Sequence, residues 1–309
     1  MIKLENKRVI VTGANGFIGV HLCKKLKEYG AIVGTLDQTE SRTNETNAYI
    51  GDISDFEFVK KSCHAFQPNF VIHLAAFKGR TTNLEDFRSA INSNIVGTLN
   101  LIEALSQLST LNKFVAVGTA EEYGLGSSPF SSLQREIPIS SYSFSKVCMT
   151  HLVQTINRLH QFPSVLLRPS IAYGPGQNID MFLPALIKSL LQNKVFDMTS
   201  GTQKRDFIYI DDLVLALISA CTCGSINGEI YNVCSSETTT IAELAAKVGE
   251  ILGKKHFIKL GKFPARKLDI ENYVLDQEEA NSKMGWAPNV SLNDGLDYTI
   301  EAFKKELNQ

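Results

Sequence analysis

One segment near the start constrains the fold more than any other. A short β-branched run, KRVIVT at residues 7–12, leads into a turn with glycines at 13, 16 and 19, and apolar residues then recur at helical spacing over 17–29. This order predicts a strand, a tight turn and a helix. Glycines let the backbone approach a ligand closely, and a helix N-terminus attracts negative charge. The unit therefore predicts a site for the pyrophosphate of a dinucleotide.

The same rhythm continues through the first half of the chain. Further apolar runs are separated by helical stretches at residues 84–107 and 142–160, without a long polar linker. Strands that are apolar throughout are buried on both faces, as in a parallel sheet covered by helices. This half therefore predicts an α/β fold. The runs are AIVGTL, NFVIHLAA, NKFVAVGT and PSVLLRP.

After Pro169 the rhythm becomes irregular. The loop YGPGQ precedes a helix near 181–192, a strand and a helix around 206–223, and a short strand, EIYNV. Two more helices are expected near 240–252 and 291–306. This half predicts a smaller domain at the carboxyl edge of the sheet, where open α/β folds bind ligands.

Composition and charge argue against several other classes of protein. The 309 residues carry 31 basic and 32 acidic side chains, so no broad basic field attracts nucleic acid. No apolar stretch reaches the roughly 20 residues that cross a bilayer, and no leader pattern precedes the first strand. We therefore expect a cytoplasmic protein without a membrane span. The six cysteines and six histidines form no CxxC or HExxH motif, so no metal site is predicted.

An acidic residue stands where the second predicted strand ends. Asp37 follows Gly19 by eighteen residues, a position from which a carboxylate accepts hydrogen bonds from both hydroxyls of an adenosine ribose. A 2′-phosphate about 4 Å from this carboxylate would cost on the order of 4 kcal/mol, unless a cation such as Arg42 intervened. We therefore predict NAD(H) as the cofactor, while Arg42 leaves NADP(H) open.

A tyrosine and a lysine lie four residues apart in the helix expected at 142–160. Tyr142 and Lys146 share one face of that helix, so the ammonium favours ionisation of the phenol. A phenol, with an ordinary pKa of about 10, then becomes a usable acid or base near neutral pH. Thr119, at the end of the preceding apolar run, adds a hydroxyl for the same substrate oxygen.

Nine short motifs follow one another between residues 7 and 290. They are TGANGFIG, VIHLAA, NIVGT, GTAEEYG, YSFSK, LRPSIAYGPGQ, KRDFIYIDD, IYNV and MGW. In this order they resemble the extended short-chain dehydrogenases/reductases of the NAD-dependent epimerase/dehydratase family, which act on nucleotide sugars. The resemblance implies a Rossmann-type doubly wound parallel sheet with a smaller C-terminal α/β substrate-binding domain. The implied NAD(P)-binding domain covers 1–170, with the chain rejoining it near 206–235, and the nucleotide-sugar-binding domain covers 171–309.

The resemblance also implies roles for individual residues. Thr119, Tyr142 and Lys146 form the catalytic triad, and Glu121 occupies the position where dehydratases and decarboxylases of the family carry a working acid or base. The chain departs from many members at Ile171 and Ala172, where they have an asparagine before the YGPG turn. The implied cofactor contacts are Gly13, Asn15, Gly16, Phe17, Ile18, Gly19, Asp37, Asp52, Ile53, Leu74, Ala75, Ala76, Lys78, Asn94, Tyr142, Lys146 and Pro169. The implied substrate contacts are Thr119, Ala120, Tyr142, Leu183, Arg205, Arg266 and Asp269, with the two arginines suited to a diphosphate.

Several functions remain open at this point. The EEYG at 121–124 and the fourteen residues between Asp37 and Asp52 resemble reductases of nucleotide-linked 4-keto-6-deoxyhexoses, and we favour this NAD(P)H-dependent reduction in deoxysugar biosynthesis. Asp37 and Lys78 also suit a 4-epimerase that retains NAD+. A dehydratase of the glucose type would carry an acid where this chain has Ala120. The intact triad argues against a ligand sensor without turnover.

The resemblance finally implies an oligomeric state. The stretches at 84–107 and 142–160 carry many apolar residues that look exposed, and members of the family commonly dimerise through the equivalent pair of helices. We therefore expect a homodimer that binds a nucleotide sugar.

Overall fold

The protein is described by a computed structural model, which covers residues 4–40, 42, 45–79, 83–264, 270–276 and 278–307. Within these ranges the strands are β1 Arg8–Thr12, β2 Ile32–Asp37, β3 Asn47–Ile50, β4 Phe70–His73, β5 Lys113–Val117, β6 Ser164–Pro169, β7 Ile171–Tyr173, β8 Phe196–Asp197, β9 Lys204–Tyr209, β10 Ile230–Val233, β11 Thr238–Thr240, β12 Ile258–Lys259 and β13 Asn272–Tyr273. The α-helices are α1 Phe17–Glu28, α2 Phe56–Phe66, α3 Leu84–Ala90, α4 Gly97–Ser106, α5 Ser141–His160, α6 Phe182–Leu191, α7 Ile210–Thr222, α8 Ile241–Ile251, α9 Glu278–Met284 and α10 Leu292–Leu307.

Seven strands form one parallel sheet in the order β3-β2-β1-β4-β5-β6-β10. The order runs outward in opposite directions from β1 and β4, which creates a crevice at the carboxyl ends of these two strands. The expected Rossmann-type doubly wound sheet is confirmed. No helix among the described residues is long and apolar enough to cross a membrane.

Alternating side chains of the strands fill two apolar layers, one on each face of the sheet. Val9 and Val11 of β1 point into the layer shared with α1 and α7, whereas Ile10 points into the layer shared with α2, α4 and α5. These three side chains have no exposed surface. Burial on both faces explains why the strands are apolar at every position.

A smaller sheet follows the main one. Its path is β11-β9-β13, with β7 also paired to β9, and a separate pair joins β8 to β12. The fold class predicted from the sequence contains such a smaller C-terminal α/β unit beside the main sheet. Since β10 returns to the edge of the main sheet beside β6, the chain passes between the two sheets more than once. The division at residue 170 stays a prediction.

One buried carboxylate joins the places where the chain passes between the sheets. Asp206 of β9 accepts a hydrogen bond from the Ser170 hydroxyl at 2.6 Å, just where β6 gives way to β7. It also accepts the backbone N–H and the hydroxyl of Ser235, which follows β10, at 2.9 and 3.1 Å. Asp206 is 1% exposed, so the junction lies in the interior.

The structure differs from the sequence expectations in two places that matter for the site. The run NFVIHLAA forms a strand only as far as His73, because residues 74–79 leave the sheet. The helical stretch 84–107 contains a π-helical segment, Ile91–Val96, between α3 and α4. Such segments often occur at functional sites. Strand β3 and helix α2 were not anticipated.

Candidate active site

The turn after β1 leaves no room for a side chain at Gly13 or Gly19. Gly13 has φ of +67°, and a Cβ there would lie 2.8 Å from the backbone N and Cα of Ala75. A Cβ on Gly19 would lie 2.5 Å from the carbonyl oxygen of Gly13. Helix α1 starts after Gly16 without a side-chain cap, so its first N–H groups face outward for an anion. These residues fit the pyrophosphate of a dinucleotide.

Asp37 is fixed at the end of β2 by backbone donors. One carboxylate oxygen accepts the N–H of Asn15 and the other accepts the N–H of Gln38, both at 2.9 Å. Asn15 in turn donates to the carbonyl oxygens of Thr39 and Glu40 and accepts the N–H of Arg42. The predicted ribose-binding carboxylate is thereby held beside the glycine turn.

A buried hydrogen-bonded chain supports the loop after β4. Thr12 Oγ1 lies 2.7 Å from His73 Nδ1, and His73 Nε2 lies 3.0 Å from Thr98 Oγ1, which donates to the carbonyl of Asn94. Because Thr98 has only one hydroxyl proton, His73 Nε2 donates to Thr98 and Nδ1 accepts from Thr12. Burial, assisted by the charge of Lys146, lowers the pKa of His73 to about 3, so the ring is neutral at physiological pH.

Asn94 connects this loop to helix α5, which carries Tyr142 and Lys146. Its amide exchanges two hydrogen bonds with the backbone of Phe77, at 2.7 and 3.0 Å, and donates to Ser145 Oγ at 2.8 Å. Ser145 donates to the carbonyl of Tyr142. Asn94 lies in the π-helical segment and is fully buried. It therefore fixes residues 74–79 relative to α5.

Tyr142 and Lys146 stand in the first turns of α5, which begins with a capping box formed by Ser140 and Ser143. Both side chains are buried, and the Lys146 ammonium donates to the carbonyl of Val117, the last residue of β5, at 2.8 Å. Burial lowers the pKa of Lys146 to about 8, although the negative charge of Glu122 opposes the shift. Lys146 therefore remains mostly protonated at neutral pH.

Thr119 follows β5 and begins a short 3₁₀ turn, Ala120–Glu122. Its hydroxyl accepts the N–H of Glu121 at 3.2 Å. The Tyr273 side chain, from β13, is buried and hydrogen-bonds to Thr119. Burial, together with the nearby Glu121 and Tyr142, raises the pKa of Tyr273 well above its ordinary value. The structure thus brings Thr119, Glu121 and Tyr142 together and adds Tyr273.

Sequence reasoning did not identify Tyr273. Its position depends on the pairing of β13 with β9, which sets Tyr273 opposite Arg205 and places that guanidinium carbon 5.7 Å from the ring centre. A two-residue strand from a distant part of the chain leaves no periodic signal in the sequence. Tyr273 is recognised as a site residue only in the folded protein, where it lies beside Arg205.

The predicted substrate residues differ in how far they are buried. Arg205 is half-buried and donates to the carbonyls of Lys204 and Ile270, at 2.8 and 2.6 Å. Leu183 of α6 packs into the apolar core, and Ala120 is fully buried. Arg266 and Asp269 lie outside the described residues. All these assignments stay predictions.

The predicted cofactor residues lie along one edge of the main sheet. They follow β1 (Gly13, Asn15, Gly16, Phe17, Ile18, Gly19), end β2 (Asp37), follow β3 (Asp52, Ile53), follow β4 (Leu74, Ala75, Ala76, Lys78) or end β6 (Pro169). Asp52 accepts a hydrogen bond from the Gln38 side chain at 2.9 Å. In the described part of the chain, no group of three His, Cys, Asp or Glu residues could hold a metal ion.

Comparisons with known proteins agree with this arrangement. The chain is 29% identical over 316 residues to UDP-glucuronate 4-epimerase of Thermodesulfobacterium geofontis, covering 96% of each protein. It is 30% identical to human dTDP-D-glucose 4,6-dehydratase, covering 98% of this chain and 91% of that one.

Solved structures of nucleotide-sugar enzymes share this fold. UDP-glucose 4-epimerase from Thermotoga maritima, solved with UDP-glucose, superposes with a TM-score of 0.90 at 28% identity, covering 97% of this chain and 99% of that one. MoeE5 in complex with UDP-glucose and NAD superposes with a TM-score of 0.87 at 27% identity, with the same coverage. The family model for the NAD dependent epimerase/dehydratase family matches residues 9–234, which agrees with the predicted NAD cofactor. The chain therefore belongs to the NAD dependent epimerase/dehydratase family.

Proposed function

We propose that the protein transfers a proton and a hydride at C4 of a nucleotide-linked hexose, and that it reduces an NDP-4-keto-6-deoxyhexose to the 6-deoxyhexose. One observation supports this most: Tyr142 and Lys146 are buried together, and the Lys146 ammonium is anchored at the end of β5, next to Thr119. A phenol that can donate a proton beside an ammonium suits the interconversion of a sugar hydroxyl and a ketone.

The residues of this chain perform the acid chemistry. The Thr119 hydroxyl and the Tyr142 phenol bind the sugar oxygen, and Tyr142 gives it a proton. The Lys146 ammonium stabilises the resulting phenolate. When bound, the nicotinamide supplies or accepts the hydride. The glycine turn and Asp37 hold the dinucleotide, while Arg205 pairs with the diphosphate of the sugar nucleotide.

The reductase assignment rests on the 3₁₀ turn after β5. Ala120 is fully buried and has no acid function, whereas elimination of water needs an acid besides the base at Glu121. The EEYG segment at 121–124 also resembles that of 4-keto-6-deoxysugar reductases. A 4,6-dehydratase is therefore disfavoured, even though human dTDP-D-glucose 4,6-dehydratase is similar to this chain.

A 4-epimerase is the second candidate. Similarity to the 4-epimerases of Thermodesulfobacterium geofontis and Thermotoga maritima favours it. In that reaction Tyr142 would remove and return the same proton, and the nicotinamide would be regenerated in each cycle. The epimerase would use the same triad and nicotinamide as the reductase. The two candidates therefore differ in whether the reduced cofactor is consumed.

The test follows absorbance at 340 nm. Purified protein is mixed with dTDP-4-keto-6-deoxyglucose or GDP-4-keto-6-deoxymannose, each with NADH and with NADPH. A falling signal supports the reductase and reports the preferred base and cofactor. A constant signal in all four mixtures would contradict it. Isomerisation of UDP- or dTDP-hexoses in NMR spectra, without net redox change, would then establish the epimerase.

Asp37 is expected to set the preference for NADH over NADPH. In Asp37→Asn, the backbone contact with Asn15 can persist while the negative charge facing a 2′-phosphate is lost. We expect the affinity for NADPH relative to NADH to rise about tenfold, since two charges about 4 Å apart repel by about 1–4 kcal/mol near a surface. Titration calorimetry measures both constants. Glu40→Gln, a nearby exposed carboxylate, is the control, and an unchanged ratio in Asp37→Asn would contradict the assignment.

We further propose that the protein is a homodimer. Helices α3, α4 and α5 expose large apolar side chains, among them Leu84, Leu99, Phe144 and Leu159. Burial of such a surface against a second copy would remove it from water. Analytical ultracentrifugation should give twice the mass of one chain, and the mass of a single chain at working concentration would contradict the dimer.

A further inference from the structure

Glu122 is a carboxylate with no exposed surface, and it is held by three hydrogen bonds and an ion pair. One oxygen accepts the backbone N–H of Thr119 at 2.9 Å. The other accepts the Thr150 hydroxyl at 2.8 Å and the Nε–H of Arg168 at 2.9 Å, and it lies 2.6 Å from Arg168 Nη2 in an ion pair. Burial of a charge is costly unless it is paired and hydrogen-bonded, and here both conditions are met.

Two of the donors, Thr119 and Thr150, belong to the segments that carry the triad, whereas Arg168 belongs to β6. Thr150 lies one helical turn beyond Lys146 on α5, and Lys146 lies one turn beyond Tyr142, so the three residues form a stripe on one face. All three are buried. The Glu122 carboxylate therefore contacts one triad member, through the backbone N–H of Thr119, and, through Thr150, the helix that carries the other two.

We propose that Glu122 is a positioning residue, whose buried carboxylate holds Thr119 against α5 and places a negative charge on the side of α5 that carries Lys146. This inference rests on the proposed proton transfer at C4. Glu122 does not touch the substrate in this arrangement. It acts through Thr119 and Lys146.

The charged and titratable groups facing Lys146 come from several elements. Tyr142 lies on the same helix, Glu122 on the 3₁₀ turn, Lys78 on the loop after β4, and His73 at the end of β4. His73 is neutral, and the positive charge of Lys78 disfavours a second ammonium. Among these groups, Glu122 is the one whose charge favours the protonated form of Lys146. Without this charge, the coupled pair of Tyr142 and Lys146 loses its first proton at lower pH.

Glu122→Gln tests the proposal while keeping the shape of the side chain. A single amide oxygen cannot serve both Arg168 and Thr119, so the amide NH₂ meets the Thr119 N–H. We expect kcat to fall about ten- to a hundredfold with KM changed less than about threefold, as for loss of one hydrogen bond to a charged group. The alkaline limb of the pH–rate profile should move down by about one pH unit.

Glu136→Gln is the matched control. Glu136 pairs with the same Arg168, at 2.6 Å, but has no hydrogen bond to Thr119. A merely structural role of the ion cluster would make the two variants behave alike. We expect Glu136→Gln to keep the wild-type pH profile, and equal shifts in both variants would overturn the proposal.

Amide hydrogen exchange provides a readout that needs no substrate. Exchange at Thr119 should accelerate in Glu122→Gln and not in Glu136→Gln. Absence of turnover with any nucleotide sugar would overturn the proposed function, and the exchange measurement would still test Glu122. If Glu122→Gln does not fold, Thr150→Val takes its place, with kcat reduced about threefold and faster exchange at Thr119. Unchanged values of both would overturn the positioning role.

Discussion

Tyr142→Phe is expected to reduce kcat about 10²–10⁴-fold while leaving the affinity for the dinucleotide within about threefold. General acid catalysis by a positioned side chain contributes a factor of this size. Phenylalanine fills the same buried space at the start of α5, so the helix and the Lys146 contact with Val117 should persist. Stopped-flow absorbance at 340 nm and cofactor titration by fluorescence measure the two quantities.

The control for this substitution is Tyr298→Phe, which removes a hydroxyl from an exposed side chain of α10. It should behave like the wild type in both measurements. A loss of less than tenfold in Tyr142→Phe would contradict Tyr142 as the proton donor. If the protein were a sensor without turnover, ligand binding would survive the substitution and no rate would be lost.

Arg168→Met is expected to lower the free energy of unfolding by about 3–5 kcal/mol. Removing one partner of a buried ion pair leaves the other charge without compensation, which costs about this much. Arg168 belongs to β6 and has no exposed surface. Its guanidinium lies between Glu122 and Glu136, 4.7 Å from the centre of the Tyr123 ring. Burial by itself lowers the pKa of Arg168, but Glu122, Tyr123 and Glu136 together raise it above its ordinary value, so the guanidinium stays charged.

Urea unfolding monitored by circular dichroism measures this change, provided that the slope with denaturant is the same in both proteins. The matched control is Lys283→Met. Lys283 pairs with Glu229 at 3.0 Å, but both side chains are nearly half exposed. Exposed pairs contribute only about 0–1 kcal/mol. A loss below about 1 kcal/mol in Arg168→Met would contradict the role assigned to the buried cluster.

The sequence predicts most strands of the main sheet because each of these strands is marked by its own residues alone. Continuous apolar runs mark β1, β2, β4, β5 and β6, since each buries both faces in its own few residues. The glycine turn is also largely local, because Gly13 has a positive φ and a Cβ on Gly19 would meet the backbone of Gly13 and Ala14. Tyr142 and Lys146 were found from a spacing of four residues within one helix.

Features built from distant segments could not be predicted in the same way. Glu122 belongs to the GTAEEYG motif, yet its buried contacts depend on Arg168 from β6 and Thr150 from α5. Tyr273 reaches Thr119 only through the pairing of β13 with β9. Polar side chains give the same sequence signal whether they face water or a buried partner, so only the folded arrangement distinguishes the two.

The Asp206 junction has a consequence for how the two ligands meet. Moving the smaller sheet away from the main sheet at this corner would break three hydrogen bonds to one buried carboxylate, each worth about 1.5–3 kcal/mol. Thermal motion rarely supplies that much. We therefore expect no hinge at this corner, so that folding itself fixes the distance between the glycine turn at 13–19 and Arg205, the proposed cofactor and substrate contacts.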